Sequence, residues 1–125
     1  IFNILSCRKL PVNLWDGVIV YQKAKDFANM TINLVENQHF DRTVNDQLKR
    51  ASLSIMLNIA EASSRFGNKD RKNFLVIARG SAFECAAILE FLLENKNISV
   101  NTYGDLNNLL LEISKMLYAL IKKLS

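Results

Sequence analysis

The sequence is poor in the residues that break or staple a chain. Its 125 residues include one proline and four glycines. So few breaks favour a small number of long helices over many short strands. The glycines stand apart from one another, which excludes a glycine-rich phosphate loop. Two cysteines, Cys7 and Cys85, are too few for a disulfide framework. Cys85 lies in an apolar helical pattern and reads as a small core residue. The single histidine, His39, is more restrictive still. Glu36-Asn37-Gln38-His39 has the Glu-x-x-His spacing of a di-iron bundle, but such a site needs the motif twice. One imidazole also rules out most zinc sites. No metal, no cofactor and no enzymatic activity are expected. No apolar run approaches a membrane span, and Ile1–Leu5 is far too short for a signal-peptide core. The expected location is the cytoplasm, with no membrane partner.

What remains is helical. Half the residues are hydrophobic and 22% are charged, the balance of a globular chain. The length suits one domain, large enough to bury a core without staples. Four helical periodicities follow, with residues 1–17 as an N-terminal extension and 18–125 as the bundle. Helix 1 is predicted over Val18–Asn37, capped by Asp16, with Val18, Tyr21, Ala24, Ala28, Ile32 and Val35 facing inward. Helix 2 is predicted over Val44–Phe66 after a Thr43 cap, with Leu48, Ala51, Ile55, Ile59, Ala62 and Phe66 as its stripe. Helix 3 is predicted over Lys69–Asn95 with Asn68 as cap. Its inward face is Phe74, Ile77, Ala78, Ser81, Cys85, Ile88, Leu89 and Leu92. Gly80 sits mid-helix, where a close helix contact is the usual reason for the residue. Helix 4 is predicted over Tyr103–Leu124 behind Thr102, with the cleanest stripe, from Leu106 to Leu124. Short connections make neighbouring helices antiparallel, so the expected fold is an all-α, up-down four-helix bundle.

Two features exceed what a lone bundle needs. Leu53, Met56 and Leu57 on helix 2, Leu75 and Leu93 on helix 3, and Leu111 and Tyr118 on helix 4 make a second apolar face. Clustered apolar surface marks an interface, and self-association is expected. The second feature is a polar stripe on helix 2 that includes Arg50, Asn58 and Glu61, joined by Glu84 on helix 3. Without a nucleophile or metal ligand beside it, the stripe reads as a hydrogen-bonded network that sets helix register or a subunit contact. Catalysis by Glu61 or Glu84 would need an open pocket and a raised carboxylate pKa.

Charge is unevenly placed. Arg65, Lys69, Arg71, Lys72 and Arg79 are opposed within their stretch only by Asp70, a balance equal to the whole net charge of +4. Up-down topology adds Arg8, Lys9, Lys122 and Lys123 to the same pole, whose acids are Asp16 and Asp70. Cations at the ends of helices 2 and 4 suit the helix dipole, but Lys69, Arg71 and Lys72 open helix 3, where positive charge is disfavoured. An anionic partner such as RNA would account for them. Arg79 lies a full turn or more from the pole. The aromatics among these cations, Phe66 and Phe74, both read as core, which argues against base stacking and for backbone or shape recognition.

The residues in hand also carry a resemblance. Val20-Tyr21-Gln22-Lys23-Ala24-Lys25-Asp26-Phe27-Ala28 opens helix 1. Gln47-Leu48-Lys49-Arg50-Ala51, Ser54-Ile55 and Asn58-Ile59-Ala60-Glu61 follow on helix 2. Asn73-Phe74-Leu75 and Ile77-Ala78-Arg79-Gly80-Ser81-Ala82-Phe83-Glu84-Cys85 lie on helix 3. This pattern, over roughly residues 18–124, resembles the four-helix bundle proteins encoded by intervening sequences in bacterial 23S ribosomal RNA. The accessory variability proteins of diversity-generating retroelements look like relatives. The resemblance implies the bundle fold, a bacterial source, no enzyme activity and a ring-shaped homopentamer. For the intervening-sequence group it implies a ribosomal or rRNA association. For the accessory relatives it implies basic surfaces that bind nucleic acid and a reverse transcriptase. Two departures stand out: Ala62 replaces a usual glycine, and the helix 1–2 connection lacks the usual proline.

The expected function is therefore a non-enzymatic oligomer that offers Arg65, Lys69, Arg71, Lys72, Arg79, Lys122 and Lys123 to RNA as phosphate contacts. The competing reading is a protein-interaction scaffold that recruits a protein partner through charge and makes no useful contact with nucleic acid.

Overall fold

The computed structural model describes residues 15–125, and these residues form four helices. They are α1 (Trp15–Asn37), α2 (Arg42–Ser64), α3 (Asn68–Glu94) and α4 (Val100–Lys123). At 1.5 Å per residue the 23-residue helices are about 35 Å long. Each helix packs on its neighbours in chain order, and α4 closes the square against α1. Connections of three to five residues force successive helices to reverse direction. The result is the antiparallel up-down bundle that the periodicity predicts. Trp15, Asp16 and Gly17, assigned in sequence to the extension, are the first residues of α1. Arg8, Lys9 and Cys7 lie outside the described residues.

The core is continuous through all four helices. α2 buries Leu48, Ala51, Ile55, Ile59 and Ala62, and α4 buries Leu106, Leu110, Ile113, Leu117 and Leu120. Both sets follow the predicted stripes. In α1 the inward face centres on Val20, Ala24, Phe27 and Thr31 rather than on Val18 and Tyr21, which are half-buried. The larger difference is in α3. Leu75, expected to face a second copy, is 3% exposed inside the core, while Ile77, expected in the core, is 50% exposed. The buried residues Leu75, Ala78, Ser81, Ala82, Cys85, Leu89 and Leu92 define a face turned by about 40° from the predicted one at 100° per residue. α3 is apolar on more than one side, so periodicity alone does not choose between them.

The caps also differ from expectation, by one to three residues. Asp41 caps α2 by accepting from the Thr43 backbone N–H at 2.9 Å, and Ser99 caps α4 by accepting from that of Thr102 at 3.0 Å. The N-cap of α3 is Gly67, without a side-chain bond. α3 stops in a Schellman motif: the Asn97 N–H donates to the Leu92 carbonyl and the Lys96 N–H to that of Leu93. Lys96 holds the left-handed position at φ 59°, where glycine is the usual residue.

Candidate nucleic-acid interface

The α2–α3 turn builds the centre of the basic pole. Ser64 ends α2, residues Arg65, Phe66 and Gly67 turn the chain, and Asn68 begins α3. Arg65 anchors the turn in three ways. Its guanidinium donates to Glu61 at 3.0 Å, lies over the Phe74 ring at 4.8 Å, and its carbonyl accepts from Arg71 Nε at 2.6 Å. The Arg71 backbone N–H closes the turn onto the Gly67 carbonyl. Lys69 is exposed, Arg71 and Lys72 are half-buried, and neither Lys69 nor Lys72 forms an ion pair among the described residues. Lys122 and Lys123 join them from the last turn of α4, where cations meet the negative end of the dipole.

Phe66 overturns the expectation made for it. It is outside α2 and 97% exposed, in the middle of the cations. With Phe66 in solvent, burial of the ring does not stand against base stacking. Phe74 is half-buried and packs against the core under Arg65. The missed signal was local: Arg65, Phe66 and Gly67 follow Ser63-Ser64, a poor helix stretch before a turn residue, so the 3.6-residue count should have stopped before Phe66.

Arg79 does not share this turn. Ten residues along α3 from Lys69, it is about 15 Å up the helix axis. Its guanidinium lies over the rings of Phe83 at 4.9 Å and Tyr118 at 5.2 Å, and its Nε is buried without a hydrogen-bond partner among the described residues. Lys122 also lies over the Tyr118 ring, at 5.7 Å. Val76, Arg79, Gly80 and Phe83 on α3 with Tyr118 and Ile121 on α4 line an open groove of about 450 Å³. A Cβ on Gly80 would meet nothing within 4 Å. The close helix contact expected there is absent, and the glycine instead keeps the groove floor low.

The expected second apolar face changes its membership. On α3 the outward residues are Val76, Ile77, Phe83 and Phe91, not Leu75, which the core claims. Leu57, Leu111 and Tyr118 are exposed as expected in sequence, whereas Leu53, Met56 and Leu93 are half-buried, the last two packed against the core.

The polar stripe falls on the α2–α3 seam and is not a buried network. Arg50 donates to Glu84 at 3.0 Å and to Gln47 at 2.6 Å, with both ionic side chains more than a third exposed. Deeper in the seam, the Ser54 and Ser81 hydroxyls meet at 2.7 Å, and Asn58 donates to the Ser54 hydroxyl at 3.0 Å and its carbonyl at 2.8 Å. Glu61 pairs with Arg65 rather than with the seam. Exposed pairs of this kind contribute well under about 1 kcal/mol each. Of these contacts, Arg50–Glu84 and Ser54–Ser81 are the ones that join α2 to α3. Cys85 is buried beside the seam, and its burial, with Glu84 second, pushes the thiol up from 9.0 to about 12. Among the described residues no three potential metal-ligand side chains gather, and no helix is long and apolar enough to cross a membrane.

The described residues thus form an all-α up-down four-helix bundle with a cation-rich α2–α3 turn, exposed apolar residues on α3 and α4, and a polar seam between α2 and α3. Its particular family is established by sequence: the chain belongs to the 23S rRNA-intervening sequence protein family, whose family model matches residues 17–119. A solved structure from Bacteroides thetaiotaomicron, a protein with unknown function from the S23 ribosomal protein family, is 32% identical. It superposes with a TM-score of 0.79 over 86% of this chain and 98% of its own. No curated protein sequence matches the chain.

Proposed function

We propose that this protein is a non-enzymatic, self-assembling bundle that presents its basic pole to RNA, with ribosomal RNA the first candidate from the family description. One observation carries the reading. Lys69 and Arg71 stand in the first turn of α3 with Asp70 as the only acid there, against the preference of the helix dipole, and Lys72 follows directly. Arg71 already donates its Nε to the Arg65 carbonyl, but Lys69 and Lys72 form no ion pair among the described residues, and phosphate neutralisation is the use their chemistry fits. Self-assembly in the cytoplasm completes the reading. It is supported by the outward apolar residues of α3 and α4, with a homopentamer as the form the resemblance implies. Copies with poles aligned would add their fields.

Binding to ribosomal RNA fragments across salt concentration tests this. The comparison is with a Lys69→Glu, Arg71→Glu, Lys72→Glu variant of unchanged oligomeric mass. Three lost phosphate contacts per chain should flatten the slope of log K against log salt by about 2 on single-stranded RNA. Equal, weak binding by both proteins would overturn the RNA reading. The protein scaffold would then be the better account, and the apolar groove around Arg79 is the feature that favours it.

A further inference from the structure

Phe66 is the residue that neither the bundle nor its electrostatics needs. Its ring stands 97% exposed on a turn fixed from both sides. Arg65 is tied to Glu61, to the Phe74 ring and to Arg71, and Arg71 is tied back to Gly67. The aromatic is therefore presented on a short, braced support and not on a loose loop. Arg65 precedes it in the chain, and Lys69, Arg71 and Lys72 follow within six residues on the same turn and the start of α3. A second copy approaching pole to pole would bring like charges together, which favours an anionic partner. The grooves on the α1–α4, α2–α3 and α3–α4 seams are lined by other residues. Phe66 projects from the surface and offers a ring face.

We propose that Phe66 is a base-stacking platform, which makes single-stranded RNA, rather than duplex, the ligand of the basic pole. The inference rests on the RNA reading above and deepens it. An exposed apolar ring on a turn rich in cations matches one feature of a single strand at a time: an unstacked base on the ring, and neighbouring phosphates against Lys69, Arg71 and Lys72. In a duplex the bases are already stacked and unavailable to the ring. Stacking is tolerant of base identity, so the site reads strandedness and not sequence.

The test uses the full chain and two labelled RNAs of equal length, an unstructured oligouridine and a blunt hairpin duplex. Wild type, Phe66→Ala, Phe66→Trp and the triple Glu variant are compared by fluorescence anisotropy, each with its oligomeric mass checked. The expected result is a loss of about 5-fold or more for Phe66→Ala on the single strand, with less than a twofold change on the duplex. Phe66→Trp should retain affinity. Phe66→Ala binding the single strand as wild type does would overturn the inference. If wild type also binds both RNAs alike and the triple Glu variant binds neither, the electrostatic reading survives without stacking. If wild type binds neither RNA, both readings fail. A fall in oligomeric mass for Phe66→Ala would make Phe66 a subunit contact. Capture of an acidic, phenylalanine-rich peptide that depends on Phe66, with RNA binding unchanged, would assign the ring to a protein partner.

Discussion

Leu75 and Ile77 are two residues apart on α3, both branched and apolar, and they exchange the roles that sequence periodicity assigns them. Leu75 is 3% exposed and Ile77 is 50% exposed. Truncating each to alanine should therefore give very different losses. Leu75→Ala removes the buried branches of a leucine held among core side chains on all sides. It costs their transfer energy plus an unfilled cavity, about 3 kcal/mol. Ile77→Ala leaves no cavity and loses roughly half of an exposed-to-buried transfer. Alanine's better helix propensity returns a few tenths, so the net cost is about 0.5 kcal/mol. Urea unfolding followed by helical circular dichroism would read both. It should be run at two protein concentrations, because an assembly makes the midpoint concentration-dependent. The intrinsic, concentration-independent loss should be several-fold larger for Leu75→Ala. Any cost of Ile77→Ala beyond its intrinsic share should appear only in the concentration-dependent part. A concentration-independent loss for Ile77→Ala equal to that for Leu75→Ala would refute the placement of α3.

Three further outcomes follow from single sites. Lys96→Gly should stabilise the fold by about 1 kcal/mol, because a lysine at φ 59° bears the left-handed penalty that glycine escapes; thermal unfolding should show the rise, and a loss would count against the Schellman stop. Thr31 is fully buried and its hydroxyl finds no hydrogen-bond partner among the described residues. Thr31→Val should therefore gain about 1 kcal/mol in denaturant unfolding by removing an uncompensated polar atom. Cys85 gives a pH dependence with a definite sign. Its thiol is pushed up from 9.0 to about 12, so the folded state holds the proton after the unfolded chain has lost it. The stability it contributes is complete below pH 9 and is lost as pH rises from 9 towards 12. Between pH 8 and pH 10 wild type should lose about 1 kcal/mol more than Cys85→Ala, a difference that also cancels the lysine and tyrosine titrations common to both.

The sequence by itself determined the number of helices, their order and their antiparallel packing. Few breakers, short connections and strong stripes on α2 and α4 leave little else for the chain to do. It also located the cations of the α2–α3 turn, since charge count and topology need no side-chain geometry. What it could not decide was rotation. α3 carries apolar residues around much of its circumference, and only packing against both α2 and α4 chose Leu75 over Ile77 for the core. The same limit applied at the pole. Phe66 continues the spacing of the α2 stripe and reads as core for as long as the helix is assumed to continue. The helix ends at Ser64, and the change of backbone direction at Arg65 turns the ring outward. Arg79 shows the limit at longer range. In sequence it is one more cation near a basic run. Only the approach of α4 brings the Tyr118 ring, with that of Phe83, against the guanidinium, whose Nε has no hydrogen-bond partner among the described residues. Period and charge are one-dimensional and legible in a chain. The direction a side chain takes at a helix end, and the partner it meets across a seam, depend on contacts between residues far apart in sequence.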